Sequence, residues 1–215
     1  FFERLLIPPF VYFFHLLYPF REVGRRSSAT AAAAGGCVLV RTSTFVECGS
    51  FEAMRDALID DVAMGRMLKD ADGQLWLGFD PEVSSIRSYR GLGELWQMVA
   101  RSAFVQLRFS YSTVVGVVGG LALFFCGPPV FLALGGVRLA QGDLVNALAC
   151  SGFGAAAWLV QATMLRPYVE HHRCPRRYAF GLALASALYG GMTLTSAWNH
   201  LLRRGSSWKG RGDAP

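Results

Sequence analysis

Charged residues are scarce in this sequence. Asp, Glu, Lys and Arg make up 17% of the 215 residues, whereas a soluble globular domain usually contains about 25%. Hydrophobic residues make up 53% of the chain, so the excess apolar surface needs surroundings other than water. The shortage of charge therefore argues against an ordinary soluble protein and favours a protein of the membrane.

Two further absences narrow the class. The five cysteines form no Cys-x-x-Cys pair, which argues against a zinc site or a disulfide framework. The net charge is +6, but basic and aromatic residues do not interleave on a polar face, and the basic residues stand beside hydrophobic runs. That arrangement is typical of the flanks of membrane helices, so we expect no nucleic-acid partner.

Three long segments contain no Asp, Glu, Lys or Arg: residues 113–137, 144–165 and 178–199. Each exceeds the roughly 20 residues that a helix needs to cross a bilayer. The sequence therefore predicts a transmembrane region over residues 113–199. Pro128-Pro129 interrupts the first segment, which predicts either a kink or two short re-entrant pieces.

The loops between these segments predict an orientation. Four arginines occupy residues 166–177, against one, Arg138, in residues 135–143. The positive-inside rule places residues 166–177 in the cytoplasm, and with them the part of the chain before residue 113, since two crossings separate the two. Three crossings would put residues 200–215 outside, yet this basic tail favours the inside. The number of crossings and the side of the tail stay open at this point.

The part before the spans divides in two. Residues 1–20 are apolar and aromatic but contain charged residues and Pro8-Pro9, which predicts an interfacial helix rather than a span. Residues 21–112 combine strand and helix patterns, which predicts an α/β fold. The predicted strands are Cys37–Val40, Gln74–Phe79 and Val83–Arg87, and the predicted helices are Phe51–Leu58, Asp60–Lys69 and an interfacial helix at Leu92–Phe109.

Asp60 and Asp61 form the most reactive-looking feature, two adjacent carboxylates at the start of a predicted helix. Carboxylates at this position can simply cap the helix and interact with its dipole. Alternatively, one of them can act as a general base that deprotonates an acceptor hydroxyl. The local sequence leaves both interpretations open.

The wider context resembles the C-terminal half of family 2 membrane glycosyltransferases. The resemblance rests on the order of four stretches: residues 33–41, Gly49-Ser50-Phe51-Glu52, Leu58–Asp61 and residues 73–78. It implies a partial glycosyltransferase-A-type α/β domain, in which Asp61 is the catalytic base and Asp60 its neighbour. It also implies that Gly35 and Gly36 shape the acceptor pocket. Asp-Asp replaces the usual Glu-Asp, and Gly-Ser-Phe replaces the usual Gly-Gly-Phe.

The chain is most similar to the hopanoid-biosynthesis-associated subgroup of bacterial membrane glycosyltransferases. The supporting stretches run from Leu5–Pro8 through residues 91–101 to Trp208–Arg211. The subgroup's Gln/Arg-x-x-Arg-Trp motif has its nearest match at Gln106-Leu107-Arg108-Phe109, with shorter spacing and Phe for Trp. Arg108 would then face the diphosphate of the donor, and the alternative is an arginine snorkelling at the membrane surface.

The Asp-x-Asp metal motif of this family has no match in a suitable place. The resemblance implies a divalent cation, Mg²⁺ or Mn²⁺, for the complete enzyme, with its ligands in a nucleotide-binding half that would precede Phe1. We therefore expect an enzyme fragment of the bacterial inner membrane, with its catalytic part cytoplasmic, that passes a sugar from a nucleotide donor to a lipid-like acceptor. The alternative is a non-enzymatic membrane protein, either a scaffold or a transporter component.

Overall fold

The computed structural model describes residues 1–86 and 88–202 and the backbone of residues 207–208 and 211–212. Nearly all regular structure in these residues is helical. The α-helices are α1 (Phe2–Leu17), α2 (Phe20–Gly24), α3 (Thr42–Glu47), α4 (Asp60–Asp70), α5 (Leu92–Gln106), α6 (Tyr111–Gly120), α7 (Gly127–Ala140), α8 (Leu144–His171) and α9 (Leu182–Leu201). Two 3-10 helices cover Ser50–Met54 and Arg176–Gly181, and a π-helix covers Leu121–Cys126.

The chain forms two compact units. The first consists of Phe1–Val11 and Tyr89–Pro215, and the second of Tyr12–Ser88. The first unit contains the long apolar helices. The second contains α4 and the acidic pair.

Three helices are long and apolar enough to cross a membrane: Tyr111–Ala140, Leu144–His171 and Arg176–Leu201. They overlap the three predicted segments and extend beyond each of them. Large apolar side chains on the first helix face outward, among them Val115 and Phe124, which are 72% and 68% exposed. An apolar surface of this kind fits contact with lipid rather than water.

The first of these helices passes through Pro128-Pro129 without ending. Proline lacks an N–H, and its ring displaces the carbonyl four residues earlier. The carbonyl of Phe124 therefore loses its α-helical donor at Pro128, and its π-helical donor would be Pro129, which also has none. The side chain of Gln161 on α8 donates to this carbonyl at 2.6 Å. The predicted re-entrant pair is replaced by one continuous helical segment with a π-turn before the prolines.

The last helix, α9, lies at the centre of its unit. Half of the most apolar 18-residue stretch of the third spanning helix, Arg176–Leu201, which contains α9, is buried, against 6% for the first. On α5, the indole of Trp96 donates to the hydroxyl of Thr195 at 3.3 Å. A Cβ on Gly191 would lie 2.8 Å from the Trp96 ring, so the absence of a side chain there admits the indole.

The start of α1 packs against the same helix. The hydroxyl of Tyr189 donates to the carbonyl of Leu6 at 2.7 Å, and Leu6 is fully buried. Phe10 and Tyr189 also make a ring contact, with centroids 6.5 Å apart. These contacts fix the first turns of α1 within the helical unit.

Helices α7 and α8 form an antiparallel hairpin. A Cβ on Gly154 would lie 2.6 Å from the backbone nitrogen of Leu132, so glycine allows the two backbones to approach closely. Asp143 caps the start of α8, accepting hydrogen bonds from the backbone and side chain of Asn146. Those hydrogen bonds hold the pKa of the Asp143 carboxyl below its ordinary value.

The predicted α/β fold is wrong for the described residues. Residues 37–40, 74–79 and 83–86 form no strand, and the described backbone pairs only at β1 (Ser207–Trp208) and β2 (Arg211–Gly212). A strand needs a neighbour for its N–H and C=O groups, and no described segment supplies one to these stretches. Leu39 and Trp76, both expected to be strand residues, are instead exposed.

Two smaller predictions also need comment. The helix expected at Phe51–Leu58 is the shorter 3-10 helix Ser50–Met54, whereas Asp60–Lys69 is helical as expected. Arg87, at the end of one predicted strand, lies outside the described residues, as do Arg203, Arg204 and Lys209 of the predicted basic tail.

Candidate functional site

Asp60 and Asp61 are the first two residues of α4. Neither is the N-cap, which is Ile59. Asp60 accepts a hydrogen bond from the N–H of Asp61 at 3.0 Å, and Asp61 Oδ1 accepts from the N–H of Val62 at 2.8 Å. Both carboxylates thus bind free N–H groups of the first helical turn, and this part of the capping interpretation holds.

Asp61 makes one contact that capping does not require. Its Oδ2 accepts a hydrogen bond from the backbone N–H of Gly35 at 3.2 Å, across 26 residues of sequence. Gly35 and Gly36 are the central residues of a tight turn closed by the N–H of Cys37 and the carbonyl of Ala34, 3.0 Å apart. The structure therefore places the acidic pair in contact with the Gly-Gly turn.

The two glycines have different surroundings. A Cβ on Gly35 would lie 3.3 Å from both Cβ and Oδ2 of Asp61. A Cβ on Gly36 would meet nothing within 4 Å. The absence of a side chain at Gly35 is thus part of the contact with Asp61, whereas at Gly36 it leaves open space beside the turn.

Asp61 remains partly accessible, and Asp60 is exposed. Each carboxylate oxygen has more than one lone pair, so Asp61 can accept a further proton donor while it keeps both backbone hydrogen bonds. Chemically, this is a fixed carboxylate at the positive end of a helix, open on one side.

Gln106 and Arg108 belong to the first unit, at the end of α5. Gln106 is the last residue of that helix. Arg108 and Phe109 both adopt left-handed backbone conformations, with φ of 53° and 55°, which non-glycine residues rarely occupy. The Phe109 ring packs against Phe104 with centroids 5.6 Å apart. The Arg108 side chain is exposed, so this strained turn presents a cation.

Among the described residues, no group of three His, Cys, Asp or Glu side chains could hold a metal ion. Asp60 and Asp61 alone do not form a ligand set. The described residues thus do not fit a resident divalent cation.

Two further residues of α4, Gly65 and Lys69, contact the chain on the side of Asp61. Lys69, in the last turn of α4, donates to three backbone carbonyls, and Gly65, in the middle of α4, is buried against the backbone of Ala32. A glycine inside a helix costs about 1 kcal/mol relative to alanine, so its presence at position 65 could have indicated a close backbone contact. No sequence feature distinguished Lys69, because lysine is common in the last turn of helices.

Comparison with known protein families gives a match. The model of the family described as glycosyl transferase family 21 matches residues 11–212. This match covers most of the chain, including the acidic pair, the Gly-Gly turn and all three long apolar helices. No curated protein and no solved structure matches.

Proposed function

Because the chain belongs to glycosyl transferase family 21, we propose that it transfers a sugar from a nucleotide-sugar donor to the hydroxyl of a lipid at a membrane surface. The observation that carries this proposal is the fixed carboxylate of Asp61. It lies at the start of α4 with its Oδ2 bound to the Gly35 N–H. Membership of a glycosyltransferase family argues against the alternative of a non-enzymatic scaffold or transporter component.

Asp61 is assigned as the general base. Its carboxylate takes the proton of the acceptor hydroxyl as the acceptor oxygen bonds to the anomeric carbon of the sugar. The bond from that carbon to the donor diphosphate breaks, and the nucleoside diphosphate leaves with the electron pair. The backbone hydrogen bonds from Val62 and Gly35 support this role because they fix the carboxylate before the acceptor arrives. Asp60 positions it by binding the Asp61 N–H.

Arg108 is assigned to the negative charge that develops on the leaving diphosphate. Its support comes from the exposed side chain and from the strained backbone at Arg108 and Phe109. Strain of this kind is concentrated at functional sites. Gln106, the last residue of α5, is assigned to the same substrate on the resemblance alone.

A lipid acceptor is supported by the apolar helices. Three helices suitable for spanning a membrane follow directly after α5, and their outward faces are apolar. With three crossings, the start of the first spanning helix and the arginine-rich loop after α8 share one side of the membrane. The positive-inside rule makes that side cytoplasmic. A bacterial inner-membrane location and a place in hopanoid biosynthesis complete the proposal, both on the resemblance.

The decisive experiment replaces Asp61 by Asn in the product of the complete gene. Membranes that contain the variant are supplied with radiolabelled nucleotide sugar and the cell's own lipid extract, and labelled lipid is counted. Loss of the base should lower the transfer rate by about 10²- to 10⁴-fold. Asp60→Asn is the matched control and should lose much less, since Asp60 is exposed and the Asn side chain keeps an oxygen that can accept from the Asp61 N–H. Full transfer by Asp61→Asn would rule out the base assignment.

A further inference from the structure

One face of α4 follows a single segment of chain along its length. Asp61, Gly65 and Lys69 are spaced four residues apart, so they lie above one another on the helix surface. Asp61 bonds to Gly35, Gly65 touches Ala32, and Lys69 bonds to Thr30. Residues 30–36, here called the 30–36 segment, therefore run antiparallel to α4 and meet it at three successive turns.

The contact at Lys69 uses the whole ammonium group. Its Nζ donates to the carbonyls of Glu22, Val23 and Thr30 at 3.2, 2.9 and 2.6 Å. An ammonium has three N–H donors, so all of them are taken by backbone acceptors. Two of these carbonyls belong to the last turn of α2, and that of Glu22 also accepts from the Arg25 N–H at the end of the helix. Lys69 thereby ties the end of α2 to the start of the 30–36 segment.

The contact at Gly65 leaves no space for a side chain. A Cβ on Gly65 would lie 2.6 Å from the carbonyl carbon of Ala32, closer than any real contact. Ala32 itself is 3% exposed. The segment is therefore held against bare helix backbone between the Lys69 contact and the Asp61 contact.

Lys69 also borders a polar recess of about 550 Å³, together with Arg26, Ser28 and Arg66. Lys69 could be thought to bind an anionic ligand there. Its three donors already point at carbonyls of the protein, however, whereas Arg26 and Arg66 are exposed and make no ion pair among the described residues. The ammonium acts inward, on the chain, and not toward the recess.

We propose that Lys69 is a positioning residue for the base. By clamping residues 22–30, it holds the 30–36 segment along α4, and the segment in turn presents the Gly35 N–H to Asp61. This inference rests on the proposed role of Asp61. Lys69 lies eight residues from Asp61 on α4, about 12 Å along the helix axis, and touches no reacting atom.

The test compares Lys69→Met with Lys69→Arg and with Arg66→Met in the complete gene product. Arg66 is the matched control, an exposed cation on the same helix for which the described part of the chain shows no carbonyl partner. Lys69→Met should lower kcat about tenfold and leave the KM for the donor unchanged, because Lys69 binds no substrate. Lys69→Arg should recover most of the rate, since a guanidinium can also donate to several carbonyls. A raised KM with unchanged kcat would overturn the inference in favour of ligand binding.

A second measurement does not depend on activity. Hydrogen exchange of a peptide that covers residues 30–36 should accelerate in Lys69→Met and stay at the parent rate in Arg66→Met. Unchanged exchange in Lys69→Met overturns the inference, even if Asp61→Asn is inactive. If exchange accelerates but Asp61→Asn keeps full transfer, the proposed function fails while the mechanical link stands, so the two failures are distinguishable.

A double variant completes the design. If Lys69 acts through the base, adding Lys69→Met to Asp61→Asn should not lower the residual rate further. Multiplicative losses would show that Lys69 acts elsewhere and would overturn the inference.

Discussion

Replacing Gln161 by Leu should destabilise the membrane helices, because it removes the donor for a carbonyl that no helical N–H can reach. Pro128 and Pro129 occupy both positions from which an N–H could bind the Phe124 carbonyl within its own helix. Gln161 donates to that carbonyl at 2.6 Å and is 6% exposed. Without it, the carbonyl has no donor from its own helix.

The magnitude follows from two measured classes of effect. Hydrogen bonds between membrane helices contribute about 0.6 kcal/mol on average and up to about 1.7. A buried polar group left without a partner costs about 1–3 kcal/mol. The Gln161 Oε1 atom is itself buried without a partner among the described residues, and its removal offsets part of this loss. We expect Gln161→Leu to lower the free energy of unfolding by about 1 kcal/mol, roughly a fivefold change in the folding equilibrium. The assay is denaturant unfolding of the purified protein in detergent micelles.

The control is Thr163→Val on the same helix. The Thr163 hydroxyl donates to the carbonyl of Val160 in its own helix, so its loss should change stability by less than about 0.5 kcal/mol. A double-mutant cycle gives the sharper test. Pro128→Ala restores an N–H four residues after Phe124, so Gln161→Leu should cost less in that background. Equal costs in both backgrounds, or no cost in either, would refute the reasoning.

Two further variants, each with a matched control, test the site. Gly35→Ala should lower transfer about tenfold, because the new methyl would press on Asp61, whereas Gly36→Ala should keep the rate, since its methyl meets open space; equal rates in a transfer assay would contradict this. Arg108→Gly should raise the free energy of unfolding by about 1 kcal/mol, because glycine adopts the left-handed backbone without strain. The same variant should lower the transfer rate about 100-fold. Arg173→Gly, at the same φ of 53°, should gain stability without losing activity, and a parallel loss of activity in both would remove the role of Arg108.

The spanning helices could be predicted because their signal is local. A run without charges over 22 to 25 residues predicts a membrane helix whatever its neighbours do, and all three helices formed where expected. Their internal detail was not local. The prolines of the first helix predicted a break, but the donor that keeps the segment helical, Gln161, comes from another helix 37 residues away in sequence.

The prediction of strands was wrong because a strand-like pattern of residues is not sufficient to form a strand. Residues 74–79 have a suitable pattern, yet a strand exists only when a second segment pairs with its backbone. The pattern of alternating side chains says nothing about whether such a partner is present. The helix α4 needs no partner for its hydrogen bonds, and it begins at the predicted residue, Asp60.

The site shows the same division. Asp61 and Gly35 were singled out by residue type and order, but their hydrogen bond is a tertiary contact that no spacing rule encodes. The contacts of Lys69 could not be predicted from the sequence, because its partners are backbone carbonyls, which every residue has. A residue that binds only backbone can be placed among many different side chains, and for that reason sequence patterns do not reveal it.

The two units also hold their residues by different means, and this affects what mutations near the base should do. In the helical unit, large side chains such as Phe104, Leu165 and Met192 are almost fully buried, so substitutions there act first on stability. Along the face formed by Asp61, Gly65 and Lys69, the contacts of α4 are with backbone groups of Gly35, Ala32 and Thr30. Little apolar area is lost when such contacts are broken. Substitutions along this face of α4 should therefore change the transfer rate more than the free energy of unfolding.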